Sequence, residues 1–341
     1  MSKIYNMFNL QLFADPAPNT QTTGTSTLSV EMKTFYSDYL IDNAVPKLVH
    51  DQFGQKHPIP KNGGKTIEFR KYSPLPKLLT ALTEGVTPDG QSLTVTNLTA
   101  TVDQYGGYIT LSDMLLMTAI DNNLVQATKL LGNQAGATLD TITREVLNGG
   151  TNVIYSGGVT SRANLVGGAA SGNCYLTVDD IKQAVRNLKN QNAEKIGDSF
   201  VGIIHPDVAY DLMNDPEWKD VKTYSDPKDW YEGEIGKIAG VRFVETTEAK
   251  IWAKAAKNDT TASARAVYST LILGDNAYGV TEIEGGGLEH IVKQLGSAGT
   301  SDPINQRATV GWKATKVAER LVEQFMVRIE STSTSNPATN N

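Results

Sequence analysis

The side chains of this 341-residue chain that could do chemistry are four histidines, one cysteine and a few grouped carboxylates. His205 stands before Pro206-Asp207 at the end of an apolar run, Phe200 to Ile204. Such strand ends are where α/β enzymes hold an imidazole that trades protons near neutral pH. The same three residues also spell a strand-to-helix turn with proline at the first helical position. Glu282, Glu284 and Glu289 flank Gly285-Gly286-Gly287 and could be imagined in a metal or acid–base step, but the expectation is a solvated glycine loop. That triple glycine lacks the following Lys-Ser or Lys-Thr of a phosphate-binding loop, and no dinucleotide fingerprint or nucleophile elbow occurs. His50, His57, His205 and His290 fall in separate expected elements, none at the spacing that puts two ligands on one helical turn. Cys174 has no second cysteine to pair with and reads as a small filler near a turn. The expectation is no catalytic residue, no cofactor and no metal.

Composition narrows the class further. A chain with 40% hydrophobic residues buries one large core or two moderate ones, so two or three subdomains are expected. The net charge of −6 argues against a dedicated nucleic-acid binder, which presents a basic face. It does not argue against a container for DNA, whose wall needs only to avoid strong binding. No stretch approaches the ~18 apolar residues of a membrane span, and Asn6, Asn9 and Gln11 interrupt the segment Met1 to Ala14, so neither secretion nor membrane insertion is expected.

The elements that would carry these residues follow from periodicity. Asp15 to Thr27 lacks apolar spacing and reads as a flexible arm. From Ser29, Met32, Phe35, Tyr36, Tyr39 and Leu40 recur at helical spacing until Pro46. Ile67 and Phe69 alternate with charges in a strand, and a connection with Pro74, Pro76 and Pro88-Asp89-Gly90 leads to a return strand. The return strand changes phase at Asn97 and again at Gly106-Gly107, which predicts bulges in a long two-stranded ribbon. A ribbon of that kind is marginal alone and needs a surface to lie on. Asp121 can cap a helix from Leu124 to Leu147, ~36 Å long at 1.5 Å per residue. Thr177 and Asp180 predict a capping box, and Phe200 to Ile204, Val241 to Val244 and Tyr268 to Leu273 are core strands. Lys250 to Ala264 reads as an exposed insertion. Ala308 to Thr315 and Phe325 to Ile329 alternate as strands of one long sheet beside the spine helix, and Ser331 to Asn341 reads as a mobile polar tail.

The segment Gly296-Ser-Ala-Gly-Thr-Ser-Asp302-Pro303-Ile-Asn305-Gln306-Arg307-Ala-Thr-Val-Gly311-Trp312-Lys313 resembles the C-terminal end of tailed-bacteriophage major capsid proteins, in particular the N-four-like family. His205-Pro206-Asp207, Gly240-Val241-Arg242-Phe243 and Leu271-Ile-Leu-Gly274 to Gly279 follow that family's order. The resemblance implies a mixed α/β (α+β) fold of the Hong Kong ninety-seven type. Its parts would be an N-terminal arm (1–54), an extended β-ribbon loop (55–115), a discontinuous peripheral domain with the spine helix (116–176 and 297–341) and an axial domain (177–296). It implies a non-enzymatic shell protein that self-assembles into the pentamers and hexamers of an icosahedral head around double-stranded DNA. The implied partners are other copies of itself, a separate scaffolding protein, a portal and non-specifically contacted DNA, with no membrane. The location is the virion, with assembly in the host cytoplasm and a retained or lightly trimmed N terminus. Some capsid proteins of this fold join subunits by a Lys-to-Asn bond, for which Lys71, Lys77 and Asn305 exist by composition; these residue types are common and the N-four-like family is not generally associated with such a bond, so no cross-link is expected. Phe69, Arg70, Lys71 and Tyr72 on the ribbon and Asp302 and Arg307 in the motif are the expected intersubunit contacts. Asp302 caps local backbone in one reading; in the other, Arg307 forms a salt bridge that orients the domain junction or a neighbour. The rivals are an encapsulin-like cargo shell and an α/β enzyme centred on His205.

Overall fold

The computed structural model describes residues 20–21, 49–73, 75–81, 84–85, 87, 89–118, 123–168, 172–223, 236–256, 264–297, 299 and 302–341. The expected helix from Ser29 and the Asp121 cap lie outside them. The strands, in chain order, are β1 (Thr20–Gln21), β2 (Gln55–Lys56), β3 (Thr66–Tyr72), β4 (Val95–Thr101), β5 (Asp103–Ser112), β6 (Val153–Tyr155), β7 (Phe200–Ile204) and β8 (Lys237–Ile238). They continue with β9 (Val241–Glu245), β10 (Ile251–Ala256), β11 (Arg265–Leu273), β12 (Tyr278–Thr281), β13 (Glu289–Lys293), β14 (Arg307–Arg320) and β15 (Met326–Ser331). The mixed α+β class expected from the sequence holds. The chain divides into two compact units: residues 1–47, 104–136 and 288–314, and residues 48–103, 137–287 and 315–341.

The second unit is built on a seven-stranded mixed sheet in the order β6-β15-β11-β7-β9-β8, with β10 also paired to β11. Every residue of β7 and of β15 is buried, so both faces must be covered. One face receives the helix Val178–Asn190 through Ile181, Val185 and Leu188, and the helix Pro206–Met213 through Val208 and Leu212, packed on Phe200, Ile204, Ile272, Val327 and Ile329. Leu147, at the end of the long helix Asn123–Asn148, meets the alternate set Ile203, Leu271, Leu273 and Met326. Side chains of successive strand residues point to opposite faces, and each fully buried aliphatic of this kind is worth ~1.5–3 kcal/mol over exposure. The Thr177–Asp180 capping box forms as expected.

Several expectations need correction. β15 does not share a sheet with β14; it is central between β11 and β6. Its polar residues Arg328 and Glu330 are buried and pair with one another, so alternation did not mark a solvent face. Lys250 to Ala256 is not an exposed insertion: β10 pairs with β11 and buries Ile251 and Ala256. Residues 331–341 are tied down by hydrogen bonds, beginning with Thr332, whose N–H and hydroxyl both donate to the Cys174 carbonyl. The arm is not wholly unpaired either, since Thr20–Gln21 runs parallel to Thr110 and Leu111 of β5 in the first unit.

Candidate assembly surface

The ribbon is β3 and β4, antiparallel in unbroken register from Thr66↔Thr101 to Tyr72↔Val95. No bulge absorbs the phase change at Asn97. None is required, because the outer end buries neither face: Tyr72 is 61% and Val95 44% exposed. At the inner end the ribbon is anchored within its own unit. Phe69 packs edge-on to His57, with ring centroids 5.7 Å apart, and lies against Gly279, where a Cβ would meet its ring at 3.3 Å. Lys65 pairs with Asp103 at 2.9 Å. Arg70, Lys71 and Tyr72 are exposed, whereas Phe69 turns inward. Beyond Tyr72 the connection carries Leu75, Leu78, Leu79 and Leu93, with Leu79 89% exposed. Large apolar side chains held in water in one loop mark a surface that another molecule covers.

β5 leaves the ribbon and, in the first unit, lies beside β14. The second expected phase change, at Gly106-Gly107, does not show in the burial of β5, where Tyr105, Gly107 and Ile109 alternate with the exposed Gly106 and Tyr108. A Cβ on Gly106 would stand 2.7 Å from the Trp312 carbonyl oxygen, and one on Gly107 2.8 Å from Gln134 Oε1. Gly106 admits a close backbone approach and Gly107 leaves room for the Gln134 side chain, whose Oε1 accepts from Trp312 Nε1 at 3.2 Å. In the C-terminal motif, Asp302 is buried and its Oδ2 accepts the Arg307 backbone N–H at 2.8 Å. The Asn305 N–H returns to the Asp302 carbonyl at 3.1 Å, and Asp113 N–H donates to the Gln306 carbonyl at 3.0 Å. The backbone capping expected of Asp302 is formed, and it sets the direction in which Arg307 enters β14.

Of the residues suspected of chemistry, His205 and Glu289 are occupied structurally. His205 caps the helix Pro206–Met213, its Nδ1 accepting the Asp207 N–H at 3.1 Å. The Tyr268 hydroxyl donates to Asp207 at 2.6 Å, so the cluster clamps a strand-to-helix corner. Burial pushes His205 below its ordinary pKa against the pull of Asp207, and burial alone does so for His290. Glu289 pairs with Lys313 at 2.9 Å, while the Glu282 carbonyl accepts the Ile59 N–H at 2.8 Å. Among the described residues no group of three His, Cys, Asp or Glu could hold a metal ion.

Sequence reasoning missed a buried polar network where the segment entering the second unit meets the spine helix. His50 donates its backbone N–H to Asp140 Oδ1 at 2.8 Å, and its Nδ1 lies 2.6 Å from Asp140 Oδ2. Asp51 accepts from Thr143 Oγ1 at 2.5 Å and from Lys316 Nζ, which also reaches the Leu139 carbonyl at 2.8 Å. The Tyr278 hydroxyl donates to the His50 carbonyl. Burial lowers the Lys316 pKa and the Asp51 carboxylate opposes that, the balance of an ion pair held away from water. Asp140 and Thr143 on a helix face that also buries Leu139 and Leu147 were the available signal: polar side chains on an apolar stripe need partners.

No curated protein matches the chain. Among solved structures, the capsid of Ralstonia phage GP4 superposes at a TM-score of 0.64 and 14% identity, over 99% of this chain and 100% of that one. The cyanophage Pam1 capsid gives 0.62 at 14% identity over 96% and 98%. The cyanophage P-SCSP1u capsid gives 0.60 at 15% over 96% and 94%. At such identities these likenesses establish the fold. Family membership comes from the sequence, because the model of the family described as phage capsid protein matches residues 96–318. That is more than half of the chain, which therefore belongs to the phage capsid protein family and is a structural major capsid protein of a bacteriophage head rather than an enzyme.

Proposed function

We propose that this capsid protein assembles as pentamers and hexamers into an icosahedral head enclosing double-stranded DNA, and that the ribbon docks on a neighbouring copy. The observation that carries this reading is the exposed apolar set Tyr72, Leu75, Leu78, Leu79, Leu93 and Val95 at the outer end of the ribbon, far more than a lone soluble subunit keeps in water. Arg70, Lys71 and Tyr72 belong to that docking surface; Phe69 supports it from within, and Asp302 with Arg307 shapes a second contact. The arm, ribbon, peripheral and axial division, and kinship with the N-four-like branch, are parts of the same proposal. So are a separate scaffolding protein, a portal and assembly in the host cytoplasm. The net charge of −6 fits a wall that holds DNA without gripping it.

Replacing Pro74 to Gly90 by a short Asn-Gly turn tests this. The shortened subunit should keep its circular dichroism and melting temperature and fail to form closed shells by electron microscopy. A loss of ~1.4 kcal/mol per contact is tenfold in each association constant, and it compounds over a shell. Particles of normal size from the shortened chain would refute the docking role. Particles from the intact chain that package protein cargo and no nucleic acid would favour the encapsulin-like rival.

A further inference from the structure

β10 is paired on one side only among the described strands, to β11. Its register breaks between Trp252 and Ala256, and Lys254 sits at φ 54, the irregularity of a bulge. Trp252 faces Val267, which leaves the amides of Ile251 and Ala253 directed away from β11. Outward amides of this kind are a template for another strand. Here they are taken by side chains: Ile251 N–H donates to Asn341 Oδ1 at 2.8 Å and Ala253 N–H to Asn340 Oδ1 at 2.6 Å. Asn341 Nδ2 returns bonds to the carbonyls of Ala249 at 2.5 Å and Thr247 at 3.2 Å. Past the last β11–β15 pair, Tyr268↔Ser331, the Ala266 N–H donates to Asn336 Oδ1 at 2.9 Å. Two asparagine amides, of Asn340 and Asn341, thus stand in for the backbone of a strand beside β10, and Asn336 does the same on the opposite side of β11, where β15 ends.

The segment doing this has almost no apolar hold. From Thr334 to Asn341 only Pro337 is half-buried and the rest are exposed. Thr334 is fixed to Asp211 by its N–H at 3.0 Å and its hydroxyl at 2.7 Å. Arg144 Nη2 also donates to the Asn341 carbonyl at 3.0 Å; the bonds made by the asparagine amides are the ones a competing backbone displaces most easily, since each is exchanged for an equivalent one.

We propose that Thr334–Asn341 is a strap that closes the β10 edge against strand pairing with a second copy of this chain. A second copy is the threat because a capsid subunit meets its own kind at the highest local concentration. The bulge at Lys254 and the strap are two devices guarding the same edge.

The test uses unassembled subunits of the whole chain carrying Asn340→Ala and Asn341→Ala together. Amide exchange at Ile251 and Ala253 should quicken roughly tenfold while the β11 amides keep their protection, and the subunits should form irregular oligomers. Adding Ala253→Pro, which removes one outward N–H from the edge, should restore the original size distribution. Unchanged exchange, quickened exchange without oligomers, or oligomers that Ala253→Pro fails to suppress would each overturn the proposal. The unaltered chain bears on it as well, because Ile251 and Ala253 amides that exchange as fast as exposed loop amides would overturn it without any variant.

Discussion

Removing the carboxylate of Glu330 should destabilise the second unit by about 3–5 kcal/mol, the range for breaking a buried pair. Glu330 is fully buried in β15 and accepts three bonds: Arg162 Nε at 2.6 Å, Arg162 Nη2 at 2.7 Å and Arg328 Nε at 2.9 Å. The Arg162 guanidinium also lies over Trp252, 3.7 Å from the ring centroid, and Arg328 donates to the Asn148 carbonyl. The carboxylate holds the Arg162 pKa up, whereas burial pulls that of Arg328 down against the Glu330 charge. The two arginines would therefore respond differently to Glu330→Ala. Arg162, 32% exposed, can turn to water; Arg328, 9% exposed, stays buried with its charge uncompensated and dominates the loss. At roughly 2 °C per kcal/mol for a chain of this size, the melting temperature should fall by ~6–10 °C. Glu330→Gln, which keeps the shape and one acceptor, should lie between the variant and the unaltered chain. Glu330→Leu with Arg328→Leu should be less destabilised than Glu330→Ala, because no buried charge is left behind. Calorimetry of unassembled subunits reads all three. A fall under ~2 °C for Glu330→Ala, or a double variant worse than the single, would refute the assignment of the cost to an orphaned guanidinium.

Two further outcomes follow from the same structure. His205 and His290 have folded pKa values below their ordinary 6.5, so between those values and 6.5 the unfolded chain binds more protons; stability should be full above about pH 6.5 and fall on acidification below it. His205→Asn, which keeps a capping acceptor and removes the titration, should flatten part of that slope in melting scans, and a protein that gains stability on acidification would contradict the sign. Gly106→Ala should cost about 1–3 kcal/mol because the new methyl meets the Trp312 carbonyl at 2.7 Å, whereas Gly90→Ala, with open space around it, should leave the melting temperature unchanged.

Much of the scaffold was legible because its signals are local. The 3.6-residue spacing of Leu124, Leu131, Leu139 and Leu147 gives the spine helix, and Thr177 with Asp180 gives a cap that needs nothing beyond three residues of chain. Continuous apolar runs mark β7 and β11, and His205-Pro206-Asp207 reads correctly as a turn. What failed did so where partners decide the outcome. β15 alternates polar and apolar residues, yet Arg328 and Glu330 are buried because their charges meet each other and Arg162. The polar tail reads as mobile because its composition has no apolar anchor, and it is held because asparagine amides meet strand amides 70 and 87 residues away. Gly106-Gly107 reads as a phase shift because a sequence does not show which backbone approaches which.

By itself, then, the sequence determined the period of the spine helix and core strands, the capping box at Thr177 and, through the match over residues 96–318, the family. These rest on neighbours in the chain or on a pattern of residues along it. The tertiary structure alone decided that β14 and β15 lie in different sheets, that Asp140 finds His50 and Asp51 finds Lys316, and that the outer ribbon keeps its leucines in water. Each of those depends on burial, and burial is a property of what the fold brings alongside a residue, which its place in the chain does not carry.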